Sequence, residues 1–315
     1  MEIPINSNPE GKKYILTNHT CQVEGHTLYR IRALKDFAGV RAGELGGYVE
    51  QEHNLSQYGN CWICNNAIVY ENATVKDNAR VSDFAVIRGN AHVTGESSVS
   101  ESAHISGYVR LSDYSSVFGN ANLCGNVSLF DDAIVSGDAR ISGNVALHGE
   151  SLVCGFAKLT DNVSLYNDAE AKGICEISGN VVLFNKSSVA GHAQLSGNVT
   201  MSETSSICDY AQAKDNAKLK DACYVHGYVK LSGDCDISGC ANLAGNVQIR
   251  KKGKISGNAV LTGNICVTEN AKINGDVILS GDTIVKGNSH ISTQIEANKI
   301  IKPCSLNEIS KENSL

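Results

Sequence analysis

The sequence predicts an all-β protein, a parallel β-helix whose solenoid has three flat faces. An aliphatic side chain recurs at every sixth residue from Ile63 to Ile291, and 36 of these 39 positions hold Val, Ile or Leu. A small residue stands two positions before each aliphatic, and Gly, Asp, Asn or Glu stands two positions after nearly all of them. At every third hexad the small position holds valine instead of a smaller residue over much of the repeat. An internal repeat of this regularity defines the fold class.

Each hexad predicts a short strand followed by a two-residue corner. Ala139 and Ile141 are typical, because residues two apart on a strand point to the same side of the sheet. The residues that flank each aliphatic are mostly Ser, Thr, Lys, Arg or Gln, which predicts an outer, solvated side. Gly and Asn suit the corners because they tolerate positive φ. A helix is excluded, since a period of six would spread the apolar residues around its turns.

A second period predicts how many strands complete one coil. The small position is enlarged to valine at every third hexad, at Val109, Val127, Val145, Val163, Val181 and Val199. Asparagines keep the same spacing, at Asn126, Asn144, Asn162, Asn180, Asn198 and Asn216. A period of three hexads gives each coil three faces and stacks equivalent residues. Stacked asparagines can hydrogen-bond along the column. The repeat predicts about 13 coils, or roughly 60 Å at about 4.8 Å per coil.

The chain is predicted to have three segments. Residues 1–60 lie outside the repeat, and YILTNHTCQV and TLYRIRAL alternate like two strands joined around EGH. We expect a small N-terminal β cap containing this hairpin, because a solenoid must protect its open ends. Residues 61–294 form the β-helix, and residues 295–315 a C-terminal cap and tail.

Composition excludes several functional classes. The net charge of −6 over 315 residues gives no electrostatic basis for binding nucleic acid or an anionic membrane. No apolar run has the length of a membrane span, and MEIPINSNPEGKK lacks the apolar stretch of a secretory signal, so we expect a cytoplasmic protein. Four of the twelve cysteines occupy small positions of the repeat, as apolar fillers with reduced thiols: Cys61, Cys175, Cys223 and Cys235.

Two hexads, IRGNAH at residues 87–92 and VFGNAN at residues 117–122, resemble the repeat of left-handed β-helix proteins of the hexapeptide-repeat superfamily. The whole chain is similar to YdcK-type proteins, bacterial and phage-associated members named as acyltransferases, most clearly at RIRALKDFAGVRAGELGGYVE and NLSQYGNCWI. The resemblance implies the left hand of the coil. It also implies that an enzyme of this kind would bind acyl-CoA between the subunits of a trimer and use a histidine base. The superfamily includes non-catalytic proteins as well.

The register itself gives little support to an enzyme. It runs without interruption from Ile63 to Ile291, which predicts no projecting loop to wall off a pocket. His92, His104 and His290 flank aliphatics on outer faces, but His92 and His104 belong to different faces. Because no three histidines converge within one or two coils, we expect no metal site.

One column of outward residues exceeds what the fold requires. In steps of three hexads it contains Phe130, His148, Tyr166 and Phe184, beside a neighbouring column of small side chains. Stacked rings cover a sheet well, which is one explanation. The other is a contact surface, because exposed apolar strips mark interfaces. If the protein is an enzyme, His148 is the candidate base.

A second set of outward residues is cationic. Lys218, Lys220, Lys254 and Lys272 lie on one face, with Asp236 among them. They predict either a modest anion-binding patch or solvated charges that prevent an exposed sheet from misassembling.

These observations favour a non-catalytic β-helical binding or scaffold protein without a cofactor. Its flat faces would contact another protein or other copies of the chain, in a homo-oligomer such as a trimer. The alternative is a hexapeptide-repeat acyltransferase that uses acyl-CoA at a trimer interface. A rod that mimics nucleic acid is disfavoured, because its faces carry much Lys and Arg.

Overall fold

The computed structural model describes residues 11–293 and the backbone of residues 300–301. These residues fall into two compact units, Met1–Asp161 and Asn162–Leu315. In the described part both units are all-β apart from one 3-10 helix, Glu52–Asn54. Each unit contains a parallel β-solenoid, which confirms the predicted fold class. The coils of the described residues number about 14, against the 13 predicted. The division into units differs from the three predicted segments, whose boundaries stay a prediction.

The first unit begins with the predicted hairpin. Strands β1 (Tyr14–Val23) and β2 (His26–Ala33) pair antiparallel. Their turn places Glu24 at φ 49° and Gly25 at φ 89°, the two positive angles that a tight two-residue hairpin turn requires. Strand β3 (Leu45–Val49) pairs antiparallel with β2 and parallel with the coil strand Ile68–Val69. The hairpin is therefore hydrogen-bonded into a sheet of the coils.

A buried lysine covers the beginning of the first coil. Lys13 is 1 % exposed, and its ammonium donates to the carbonyl oxygens of Gly59 at 3.3 Å and Cys61 at 2.9 Å. The Phe37 ring lies 5.3 Å from the ammonium, and burial lowers the pKa of Lys13. Tyr14 donates to the carbonyl of Leu55 at 2.7 Å. These two side chains satisfy backbone groups that have no preceding coil to pair with.

The coils of the first unit have three faces, which we number in chain order. Face 1 consists of the strands Trp62–Ile63, Arg80–Val81, Ser98–Val99, Ser116–Val117, Ile134–Val135 and Leu152–Val153. Face 2 consists of Ile68–Val69, Val86–Ile87, His104–Ile105, Asn122–Leu123, Arg140–Ile141 and Lys158–Leu159. Face 3 consists of Thr74–Val75, His92–Val93, Arg110–Leu111, Asn126–Leu129 and Asn144–Leu147.

The second unit has the same three repeat positions. Those of face 1 are Glu170–Ala171, Ser188–Val189, Ser206–Ile207, Tyr224–Val225, Asn242–Gly245 and Ile278–Leu279. Those of face 2 are Glu176–Ile177, Gln194–Leu195, Gln212–Ala213, Lys230–Leu231, Gln248–Ile249, Asp282–Val285 and Ile300–Ile301. Those of face 3 are Asn162–Leu165, Asn180–Leu183, Thr200–Met201, Lys218–Leu219, Asp236–Ile237, Lys254–Ile255, Lys272–Ile273 and His290–Ile291. The strand Val260–Val267 turns a corner, pairing with both Asn242–Gly245 and Gln248–Ile249.

The strands pair in register at an offset of three hexads, as in Val127 opposite Val145 and Val163 opposite Val181. The aliphatic positions are buried in both units, which confirms the inward side of the repeat. Cys61, Cys175, Cys223 and Cys235 are buried among them. Burial raises the pKa of both the Cys223 and Cys235 thiols to about 12, so these two are inert fillers.

The two corner residues have separate roles. The first corner residue has a positive φ. It is Gly at some corners, such as Gly107 (83°), and Asp at others, such as Asp113 (58°). The asparagine that follows uses its side chain instead. Asn126 donates to Asn144 at 3.3 Å in the first unit, and Asn180 donates to Asn198 at 2.8 Å in the second. The predicted hydrogen-bonded asparagine columns are confirmed, but asparagine at this position does not serve positive φ.

Two predictions concern regions or properties at the limits of the described residues. The C-terminal segment 295–315 lies outside them except for the backbone of Ile300–Ile301, which pairs parallel with Asp282–Val285. Within the described part, no helix combines the length and apolar character that a bilayer crossing requires. A cytoplasmic location stays a prediction.

Candidate functional site

A groove of about 380 Å³ lies on face 3 of the first unit. One wall is the outward column Thr74, His92 and Arg110, which occupy opposite positions on three adjacent strands. The other wall is the next outward column, formed by Lys76, Thr94, Ser112 and Phe130. Each column contains every eighteenth residue, so the groove follows directly from the length of one coil.

His92 lies between two cations in this groove. Its Nδ1 is 2.8 Å from the Thr74 hydroxyl, a hydrogen bond that orients the ring. Partial desolvation lowers the pKa of His92, and the positive charges of Lys76 and Arg110 lower it further. The lowered pKa favours the neutral imidazole, the form that can accept a proton. Neither cation forms an ion pair with a carboxylate in residues 11–293.

Phe130 closes one end of the groove. Its ring stacks on that of His148, with centroids 4.7 Å apart and planes 13° apart. His148 is the base suggested by the sequence, but it lies three strands from His92, or roughly 14 Å along the sheet at about 4.8 Å per strand. The two imidazoles therefore belong to different places on the same face. No observation tests a catalytic role for His148, which stays a prediction.

The second half of the predicted aromatic column lies in the second unit. The rings of Tyr166 and Phe184 stack with centroids 5.2 Å apart and planes 14° apart. Phe184 is 38 % exposed. In each unit the stacked rings cover part of each other's faces, so less apolar surface is available than four separate rings would offer. The role of this column as a contact surface stays a prediction.

The predicted lysine patch is in the second unit at face 3 positions. Lys218, Asp236, Lys254 and Lys272 occupy successive strands in register. Asp236 thus stands between Lys218 and Lys254, and it also forms an ion pair with Lys220 at 3.4 Å. A depression of about 420 Å³ in this patch is lined by Asp234 as well. Interleaved carboxylates weaken the case for anion binding here, which stays a prediction.

A histidine and a carboxylate also meet where the hairpin contacts the first coils. His26 Nδ1 lies 2.9 Å from Glu50, whose other oxygen accepts the backbone N–H of Glu71 at 2.8 Å. The hydrogen bond raises the pKa of His26 and lowers that of Glu50. No sequence pattern indicated this pair, because both residues precede the repeat. Its contacts join the hairpin turn to strand β3 and to the coil.

In the part of the chain that the structure describes, no three side chains among His, Cys, Asp and Glu form a group that could hold a metal ion.

The sequence contains a signal for the groove. Lys76, His92 and Arg110 become neighbours once the sequence is written with three hexads to a line. The spacing between histidines does not indicate this site, because it combines one histidine with two other basic side chains.

The fold defined by these residues is a parallel β-solenoid built on a six-residue repeat. The resemblance to YdcK-type proteins is confirmed for a segment of 63 residues that is 40 % identical to "Uncharacterized acetyltransferase YdcK" of Escherichia coli (strain K12). That segment covers 20 % of this chain and 19 % of the relative. No family model matches the chain.

Two solved structures are also similar. A UDP-N-acetylglucosamine acyltransferase of Francisella novicida is 15 % identical, with a TM-score of 0.25, and the match covers 64 % of this chain and 63 % of that one. A "putative acetyltransferase" of Desulfovibrio desulfuricans G20 is 10 % identical, with a TM-score of 0.21, and the match covers 71 % of this chain and 64 % of that one. Similarity at this level carries no argument about function.

Proposed function

We propose that the protein is an acyltransferase and that the face 3 groove of the first unit binds a coenzyme A thioester. One observation carries the proposal: a neutral imidazole lies in the groove between Lys76 and Arg110, which form no ion pair in the described residues. The name of the 40 % identical relative supports an acyltransferase over the non-catalytic scaffold favoured by the sequence.

The residues of the groove match the parts of such a donor. A coenzyme A thioester carries phosphate groups, for which Lys and Arg are the usual protein partners. The Phe130 ring at the end of the groove offers an apolar edge for the uncharged parts of the molecule. A volume of about 380 Å³ is within the range of small-molecule sites, though it holds only part of so large a ligand.

His92 would act as the general base. In the tautomer whose Nδ1–H donates to the Thr74 oxygen, Nε2 can take the proton of an acceptor hydroxyl or amine. The acceptor then attacks the thioester carbonyl, the carbon–sulfur bond breaks, and the acyl group passes to the acceptor. The coenzyme A sulfur receives the proton from His92 and leaves as a thiol. The neutral state of His92 at pH 7 makes it ready for this step without prior deprotonation.

The groove is open on its outer side, and a second copy of the chain could cover it. This is the arrangement implied by the predicted trimer, in which a neighbouring face would complete the donor site. The oligomer excludes water from the thioester, which protects it from hydrolysis.

The decisive experiment measures acetyl transfer from acetyl-CoA to a panel of amine and hydroxyl acceptors, by separating the products chromatographically. Detection of the released coenzyme A with a thiol reagent is unsuitable, because the reagent would also react with the protein's own cysteines. We expect His92→Gln to lower kcat/KM by about 100-fold or more. His104→Gln, an exposed histidine on face 2, is the matched control and should retain activity.

The outcomes separate the two hypotheses. Equal activity of His92→Gln and His104→Gln would refute the role of His92. A wild-type protein that neither binds nor turns over acetyl-CoA would refute the acyltransferase proposal and favour a binding protein that acts through the aromatic column. In that case Phe130→Ser, Tyr166→Ser and Phe184→Ser together should abolish oligomerisation, as measured by light scattering.

A further inference from the structure

A second groove of about 550 Å³ lies on face 2 of the first unit, away from the groove that contains His92. Its floor is the outward column Asn122, Arg140 and Lys158, which occupy opposite positions on three adjacent parallel strands. Cys124 and Ser142 belong to the neighbouring column and line the same depression. The proposed acyl transfer uses none of these residues.

The two cations of this groove, Arg140 and Lys158, are so close that their positive charges repel. Arg140 and Lys158 are directly opposite each other, and like charges in that position repel. Two outward lysines of the second unit do pair with carboxylates, Lys172 with Glu170 and Lys220 with Asp236. Neither Arg140 nor Lys158 has an ion pair among the described residues.

The carboxylate that lines this groove forms no ion pair with either cation among the described residues. Asp138 lies at the corner, where its oxygen accepts the side-chain amide of Asn120 at 3.0 Å. The exposed side chain of Asn122 and the hydroxyl of Ser142 add neutral hydrogen-bond donors around the cations. The groove therefore combines a guanidinium fork, an ammonium and an amide within one depression.

We propose that this groove binds the phosphate group of a phosphomonoester. A dianion between Arg140 and Lys158 removes their repulsion, and the guanidinium can hold two phosphate oxygens at once. The volume of about 550 Å³ leaves room for the rest of a small molecule attached to the phosphate. The ligand is thus a small phosphorylated compound, recognised on a different face from the proposed acyl donor.

Calorimetric titration of the full-length protein with 5′-AMP, with adenosine as the uncharged probe, tests the proposal. We expect saturable binding of AMP, at least about tenfold weaker binding of adenosine, and competition by inorganic phosphate. Arg140→Gln with Lys158→Gln should weaken AMP binding by about 30-fold or more. Lys158→Arg keeps the charge and should change it by less than about threefold. Because both residues are exposed and their like charges repel, the thermal midpoint should not fall in any of these variants.

The matched control is a second pair of stacked cations. Lys254 and Lys272 also occupy opposite positions on adjacent strands, so Lys254→Gln with Lys272→Gln removes the same charge from the second unit. AMP binding should be retained in that variant. Equal losses in the two double variants would show diffuse attraction to positive charge and overturn the proposal, as would a wild-type protein that does not bind AMP.

A third variant distinguishes this groove from the proposed donor site. Lys76→Ala with Arg110→Ala changes only the face 3 groove and should leave AMP binding intact. If it abolishes AMP binding, the phosphate is held in the donor groove and the face 2 proposal is wrong. Loss of acetyl transfer in that variant with AMP binding retained would support two separate sites.

Discussion

The face 3 groove of the first unit and the lysine patch of the second unit use the same repeat positions with opposite electrostatic results. His92 and Arg110 follow Thr74 in one column, while Asp236 lies between Lys218 and Lys254 in the other. The backbone geometry is the same in both, a parallel strand of two residues between corners. In the second unit the carboxylate of Asp236 separates Lys218 from Lys254, whereas no carboxylate stands among Thr74, His92 and Arg110.

This difference shows where function can arise on a solenoid. The inward residues are committed to the core, and the corner residues to turns and asparagine columns. Only the two outward columns of each face can vary without disturbing the fold. Because a column samples every eighteenth residue, side chains distant in sequence become neighbours, and a single substitution changes the character of a site.

The largest expected effect comes from placing a carboxylate in the column of the groove, as Asp236 is placed in the lysine patch. Arg110→Asp places a carboxylate beside Lys76 and His92, and we expect coenzyme A to bind about 100-fold more weakly. Loss of one charge-assisted interaction typically accounts for about tenfold or more, and the new negative charge repels the phosphates in addition. Calorimetric titration with coenzyme A measures the change.

The matched substitution for this test is Lys218→Asp, on the equivalent column of the second unit. It should leave coenzyme A binding within about twofold of the wild type. If Lys218→Asp weakens binding as strongly as Arg110→Asp, the groove is not the donor site.

A smaller effect is expected when the carboxylate of the lysine patch is removed, so that its column, like that of the groove, contains none. Asp236→Asn removes the carboxylate between Lys218 and Lys254 and the ion pair with Lys220. We expect binding of inorganic phosphate to this patch to strengthen by about three- to tenfold, as measured by titration at low ionic strength. Protein stability should change by less than about 1 kcal/mol, because the ion pair is partly exposed.

Ionic strength provides the control for Asp236→Asn. The gain should shrink as salt is raised from low to physiological concentration, since exposed charges are screened within about 8 Å at 0.15 M. A gain that does not depend on salt would indicate a rearranged patch rather than a change of charge.

The smallest effect concerns the titration of His92. Its lowered pKa means that the basic form predominates above a pH that lies below 6.5, so kcat/KM should rise with pH and level off before pH 7.5. Arg110→Gln removes one of the positive charges that lower this pKa. The rise should therefore move to higher pH, toward the ordinary value of histidine. Steady-state values of kcat/KM across pH 5–8 measure it.

The direction of that movement is the informative result. Desolvation is the larger cause of the lowered pKa, so the rise should stay below pH 6.5 even in Arg110→Gln. A movement to lower pH would contradict the electrostatic account of the groove. An unchanged profile would show that a group other than His92 controls the rate.

The fold was predictable because every level of the sequence agreed. The aliphatic at every sixth position, the small residue two before it and the recurrence of Val127, Val145 and Val163 at every third hexad all require the same coil. The hairpin was predictable from alternation and from Glu24–Gly25. The hydrogen bonds from Lys13 to the carbonyls of Gly59 and Cys61 were not predictable. No local sequence pattern indicates which buried backbone groups at the open end of a solenoid need a partner.

The candidate site was only partly predictable. The repeat predicts Phe130 and His148 as outward neighbours, and their rings do stack on each other. It also predicts His92 as an outward histidine, but the hydrogen bond to Thr74 and the electrostatic effect of the two cations depend on side-chain geometry. The pairing of His26 with Glu50 could not be inferred, since it depends on how the hairpin turn reaches strand β3.

The sequence by itself determined the coil, its period of three hexads and the identity of the inward and outward columns, because strand alternation and core burial act on every hexad alike. The tertiary structure decided which outward residues enclose a groove, which cations find carboxylates and which imidazole stays neutral. Those properties depend on distances between side chains on adjacent coils and on their shared exclusion of water, which a one-dimensional pattern does not contain.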